Sequence, residues 1–186
     1  GNYAGIQNNH FPQQGLEPMP DGRGSQLILV KSEDDGLTWS LPINITKQTK
    51  NPEWGRFLQG PGCGITMKDG TLVFPAQYQD PKKNDLSSST LIYSKDHGKS
   101  WQTAKSAVEN GGEAQVVELS DGSLMLNMRS NKKARLVAVT RDLGTTWTTH
   151  PTSAVALRES GCQASLIQST VTTGNKTLDV LFFSNP

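Results

Sequence analysis

The sequence predicts an all-β protein, and three observations carry that expectation. Short runs rich in β-branched, aromatic and aliphatic residues recur along the chain, separated by Gly- and Asp-centred turns. No stretch holds a helical period for more than about ten residues. An octapeptide that suits a β-hairpin turn occurs three times.

The β-type runs cover residues 26–31, 71–75, 90–93, 115–119, 123–128, 135–139, 164–168 and 178–183. Turn signals at Asp69-Gly70, Asp121-Gly122 and Gly174-Asn175 divide them. Residues 2–24 are rich in Asn, Gln, Pro and Gly and read as a long loop; residues 80–89 read as a polar, exposed connection.

The repeat begins at Ser32, Ser94 and Thr140, and each copy fits Ser/Thr-x-Asp-x-Gly-x-Ser/Thr-Trp. The physical reading is a hairpin turn with a plug. The Asp (Asp34, Asp96, Asp142) accepts backbone N–H bonds, and the Gly supplies the positive φ that the reversal needs. The hydroxyl residues add local bonds, and the Trp (Trp39, Trp101, Trp147) packs a large face between neighbouring sheets. Each copy follows a β-type run, which places it between two strands of one sheet. Spacing of this order suits the four-stranded blade of a β-propeller.

The apolar fraction is 34%, which is that of a folded domain and not of a disordered chain. A formal net charge of +1 with only short basic runs argues against nucleic acid as a partner. No apolar run approaches the ~20 residues that span a membrane, and no signal peptide is visible after Gly1. Gly1 is not a natural start, so sequence upstream of it is expected. Cys63 and Cys162 match no metal-ligand spacing. They read as small buried side chains, or as a disulfide if the fold brings them together. His10, His97 and His150 are isolated, and no metal or other cofactor is expected.

The octapeptide is similar to the Asp-box of sialidases, and further segments resemble that family. They are Gly60-Pro61-Gly62-Cys63-Gly64-Ile65, the Glu113 segment through Leu119, and the strand end Leu126-Asn127-Met128-Arg129-Ser130. Gly161-Cys162-Gln163-Ala164-Ser165 and the closing residues 181–186 also fit, so the resemblance runs from about residue 26 to 186. It implies about three blades, central to a six-bladed sialidase-type propeller, with residues 1–186 forming one fragment of the catalytic domain.

The same resemblance implies the chemistry. Sialidases use a Tyr nucleophile where most glycosidases use a carboxylate. The substrate already carries a carboxylate at its anomeric carbon, so a neutral phenol avoids repulsion, and a Glu takes its proton. Glu113 matches that Glu; read without the resemblance, it is an exposed carboxylate after Gly111-Gly112. Arg129 matches one of three arginines that clamp the substrate carboxylate, since a planar guanidinium can bind both oxygens. Gln77 and Tyr78 (with Gln79) stand where the family contacts the sugar's glycerol tail, and Glu53 where it has an acidic pocket residue. No motif supports Arg56 or Arg158.

The family's acid/base Asp, its nucleophilic Tyr and the other clamp arginines belong to blades outside this chain. The fragment alone is therefore expected to be inactive, and the remaining blades come from the rest of the protein or another chain. The implied activity is retaining exo-α-sialidase, with sialylated glycans as partners and a secreted, periplasmic or cell-surface location. A non-catalytic Asp-box propeller and a trans-sialidase are the alternatives.

Overall fold

A strand buried on both faces carries a near-continuous apolar run, and alternate residues face opposite neighbours. The central strands here show the alternation, and residues 124–128 come nearest to the apolar run. The computed structural model describes residues 25–83 and 87–186; the loop expected over residues 2–24 lies outside them. In chain order the elements are β1 (Ile28–Leu29), β2 (Ile43–Asn44), the four-residue helix α1 (Thr46–Thr49), β3 (Phe57–Gln59), β4 (Ile65–Thr66) and β5 (Leu72–Gln79). There follow a 3-10 turn (Pro81–Lys83), β6 (Ser87–Ser94), β7 (Gln102–Thr103), β8 (Val108–Glu109), β9 (Gly112–Glu118) and β10 (Leu124–Arg129). β11 (Leu136–Thr140), β12 (Thr148–Thr149), β13 (Ser165–Thr173) and β14 (Lys176–Ser184) complete the set.

These strands make four antiparallel sheets in chain order. β1 pairs β2; β3-β5-β6-β7 form the second sheet, with β4 added on β5 and β8 on β6. β9-β10-β11-β12 form the third, and β13 pairs β14 in the fourth. Two full blades are thus flanked by two hairpins. No helix among the described residues is long and apolar enough to cross a membrane.

The core lies between the sheets. Leu27, Ile45, Phe57, Ala76, Tyr78, Ile92 and Trp101 pack the first sheet against the second. Val73 and Leu91 turn the other way, onto Ala114, Val116, Leu124, Leu126, Met128, Leu136 and Ala138 of the third. Val117, Met125 and Val137 point onward to Leu166 of the fourth. Burying such a side chain contributes about 1.5–3 kcal/mol. At the two ends this packing stops, leaving Trp39, Leu41 and Ile43 exposed on one side and Ile167, Leu178 and Phe182 on the other.

The three boxes share one bonding scheme. In the second, Ser94 Oγ donates to Asp96 Oδ1 at 2.8 Å and accepts from Gly98 N at 2.8 Å. Asp96 also accepts from Ser100 N at 2.9 Å and Ser100 Oγ at 2.6 Å. Asp34 and Asp142 accept the corresponding bonds from Thr38 and Thr146. The turn needs two consecutive left-handed residues, and Gly occupies the second of them (Gly98 φ 83°, after His97 φ 59°). The plug differs between copies. Trp101 is buried, whereas Trp39 is exposed because no sheet among the described residues covers it, and Trp147 donates its indole N–H to Lys105 O at 3.1 Å, in the loop between β7 and β8.

These bonds hold the box carboxyls at a pKa of about 2, against an ordinary 3.8. The first cause is the Thr38 hydroxyl for Asp34, the Ser100 hydroxyl for Asp96 and the Thr146 backbone N–H for Asp142. A carboxyl depressed in the folded state stabilises the fold above its unfolded pKa, and that contribution disappears as pH falls toward the folded one. The melting temperature is therefore expected to drop as pH falls from about 4 to about 2. An Asp96→Asn variant, melted over the same range, should lose part of that drop; an unchanged profile would remove the boxes as its source.

Three sequence expectations need correction. Residues 87–89 are not an exposed connection: Ser88 and Ser89 are buried inside β6, held between β5 and β8 by full ladder pairing. Cys63 and Cys162 are neither buried nor joined; both are free and exposed, because each sits in a Gly-containing loop away from the sheets. The run at 71–75 extends to Gln79, since Ala76 to Gln79 pair with residues 87–90 of β6.

Candidate active site

Strand ends from two blades meet at one cleft of about 310 Å³. β5 contributes Gln77, Tyr78 and Gln79, β9 contributes Gly112 and Glu113, and β10 ends there in Arg129. Arg56, which precedes β3, completes the charged lining. The cleft thus carries two guanidiniums and one carboxylate, a balance that favours an anionic ligand.

Glu113 and Arg129 form an ion pair, Oε2 to Nη1, of 2.9 Å. Their side chains are 29% and 39% exposed, so both reach the solvent of the cleft. The register explains their meeting. β9 and β10 pair regularly from Leu124–Glu118 to Asn127–Gln115, then a bulge sets Arg129 opposite Gly112. Glu113 itself has φ 40°, a left-handed conformation unusual for a residue with a Cβ and frequent at functional sites.

That backbone is held from both sides. Gln77 Oε1 accepts the Glu113 N–H at 3.0 Å, and also the Ser87 hydroxyl at 3.3 Å. The approach is close: a Cβ on Gly112 would lie 2.5 Å from Gln77 Oε1. On the other side Arg135 Nη2 reaches Glu113 O at 3.4 Å. Arg135 is fully buried and pairs with Glu159 at 2.9 Å. Burial pushes the Arg135 pKa down, and the Glu159 carboxylate opposes that shift.

Of the residues singled out in the sequence, Glu113, Arg129, Gln77 and Tyr78 line this one cleft. Tyr78 is buried and stacks on Trp54, with centroids 3.8 Å apart and an 11° interplanar angle, so its ring is a wall and not a mobile group. Glu53 does not line the cleft; it lies exposed and pairs with Lys82 at 2.7 Å. Sequence reasoning passed over Arg56, Arg135 and Glu159. The hairpin register carried the signal for Arg56, whose carbonyl accepts Gln79 N at 2.8 Å. For Arg135 the signal was a charge opening an apolar strand. Among the described residues no group of three or more His, Cys, Asp or Glu is placed to hold a metal ion.

Fold and cleft together define part of a sialidase-type β-propeller, its site built where neighbouring blades meet. The chain belongs to the family of BNR repeat-like domains, which matches residues 2–186. It is 53% identical over 163 residues to a sialidase of Bacteroides fragilis (strain YCH46), covering 87% of this chain and 30% of that protein. A solved Hadza microbial sialidase superposes with a TM-score of 0.81 at 53% identity, over 87% of this chain and 31% of that one. The intramolecular trans-sialidase from Ruminococcus gnavus, solved with oseltamivir carboxylate, superposes with a TM-score of 0.64 at 26% identity, over 77% and 30%. The chain thus spans less than a third of the length of these proteins.

Proposed function

We propose that the complete protein carrying this chain is an exo-α-sialidase that hydrolyses terminal sialic acid from glycans with retention. The Glu113–Arg129 pair in a cleft rich in guanidinium is the observation that carries the reading. Arg129 spends one N–H on Glu113 and has four left for a substrate carboxylate. Glu113 is then the base that takes the proton of a Tyr nucleophile, and both the Tyr and the acid/base Asp come from blades outside this chain. Gln77, whose Oε1 is already occupied, keeps its amide N–H groups for sugar hydroxyls. Sialylated glycans outside the cell are the substrates, and a secreted, periplasmic or cell-surface location follows from them.

Release of 4-methylumbelliferone from its sialic acid conjugate tests this in the complete protein. Arg129→Ala should raise KM roughly 10- to 100-fold, the worth of a charged hydrogen-bonding contact. NMR of the first-formed sugar should show the α-anomer. Binding of sialoglycans without any release would leave a non-catalytic propeller. Transfer to an added acceptor, or an anhydro product, would instead make it a trans-sialidase, the class of the R. gnavus neighbour.

A further inference from the structure

One buried charged pair plays no direct part in the chemistry proposed above, yet from behind the site it reaches Glu113 and the peptide that follows Arg129. Arg135 is fully buried and donates from Nε to Asn127 Oδ1 at 2.6 Å and from Nη2 to Asn127 O at 3.1 Å. Its Nη1 reaches Glu159 Oε2 at 2.9 Å and Cys162 O at 3.1 Å. A further acceptor is the Glu113 carbonyl at 3.4 Å. Glu159 uses its other oxygen to accept the Ser130 N–H at 2.8 Å, one residue past Arg129. A side chain that satisfies only structural carbonyls has no need to include that of a left-handed Glu. Nor does its partner need to fix the peptide that follows the substrate-facing Arg.

We infer that Arg135 and Glu159, with Gln77 on the opposite side, position the Glu113 carboxylate and the Arg129 guanidinium against each other; this rests on the catalytic reading of that pair. Arg135 and Gln77 grip the two ends of the same residue, its carbonyl and its N–H. With φ at 40°, Glu113 relaxes toward ordinary extended backbone if either grip is lost, and its carboxylate swings out of the cleft. Glu159 does for the Arg129–Ser130 peptide what Arg135 does for Glu113. Arg135 and Glu159 are positioning residues, acting through Glu113 and Arg129, and Gln77 adds that role to its own contact with the sugar.

A double-mutant cycle on kcat in the complete protein, with the 4-methylumbelliferyl conjugate as substrate, tests the inference. Arg135→Lys keeps the charge beside Glu159 but gives up the guanidinium fork. Gln77→Leu removes the acceptor of the Glu113 N–H on the cleft side. Each is expected to lower kcat by roughly 10- to 100-fold, as a misplacement near 1 Å does; KM should stay within about threefold for Arg135→Lys, which touches no substrate, and rise further for Gln77→Leu, which also loses its amide contacts to the sugar. Combined with Glu113→Ala, neither should lower kcat further than Glu113→Ala alone, because both act through that carboxylate. Losses that multiply in the double variants, or a folded single variant with kcat within about threefold of the parent, would overturn the inference. Should Arg135→Lys fail to fold, the Gln77→Leu arm decides alone. A parent-like Glu113→Ala would instead sink the proposed function and is read separately.

Discussion

Replacing Glu113 by Ala in the complete protein is expected to lower kcat for sialoside hydrolysis by roughly 10²- to 10⁴-fold, the usual worth of a positioned general base. The fold should not feel the change, because the side chain is 29% exposed and its carboxylate is paired with Arg129 in the same cleft. Ala at φ 40° carries the same backbone strain as Glu, so even the local conformation is preserved. Glu113→Gln sharpens the test. The amide retains the shape and can still accept a bond from Arg129, but it cannot take a proton. If the Glu113→Gln variant turned over substrate at near the parent's rate, the carboxylate would be a spacer for Arg129 and the base would have to be sought elsewhere. A loss as large as that of Ala would mark the proton as its role. KM should move less than kcat in both, since Arg129 is left to hold the substrate.

The features legible in the sequence were those set by local chemistry. The boxes announced themselves because Asp34, Asp96 and Asp142 bond to residues within the same octapeptide. Strand runs such as 123–128 were visible because both faces of β10 are buried, so most of its residues are apolar. Glu113 and Arg129 were found through their resemblance to sialidase segments, and the cleft brings them together. What stayed hidden depends on distant partners. Ser88 and Ser89 look like loop residues until β5 and β8 are laid beside them. Glu53 sits in a suggestive loop, but Lys82 draws it to the surface. Arg135 and Glu159 are far apart in the chain, and only the return of the 158–162 loop past β11 joins them. The cysteines reverse the usual tendency of a free thiol to be buried, because the loops carrying them pass over the surface.

That hidden pair yields the largest expected effect on stability. Arg135→Met in the complete protein is expected to lower the unfolding free energy by at least about 3–5 kcal/mol, because it leaves the Glu159 carboxylate buried without a countercharge. Glu159→Leu, added to it, removes that stranded charge. Were the two residues only an ion pair, the double variant should then recover to the parent or beyond, as buried pairs often do when replaced by apolar groups. Arg135, however, also donates to Asn127 Oδ1, and Glu159 accepts the buried Ser130 N–H; neither group gains a partner from Met or Leu. Each buried polar group left without a partner costs about 1–3 kcal/mol. The double variant should therefore stop short, remaining a few kcal/mol below the parent in urea titration, about 1–3 per buried group left bare. Full recovery would show that water or a backbone shift satisfies those groups, and that Arg135 and Glu159 serve the fold only as charges. A persistent deficit, with kcat depressed as well, would show the Arg135–Glu159 pair holding together a strand end, a returning loop and the peptide of Glu113.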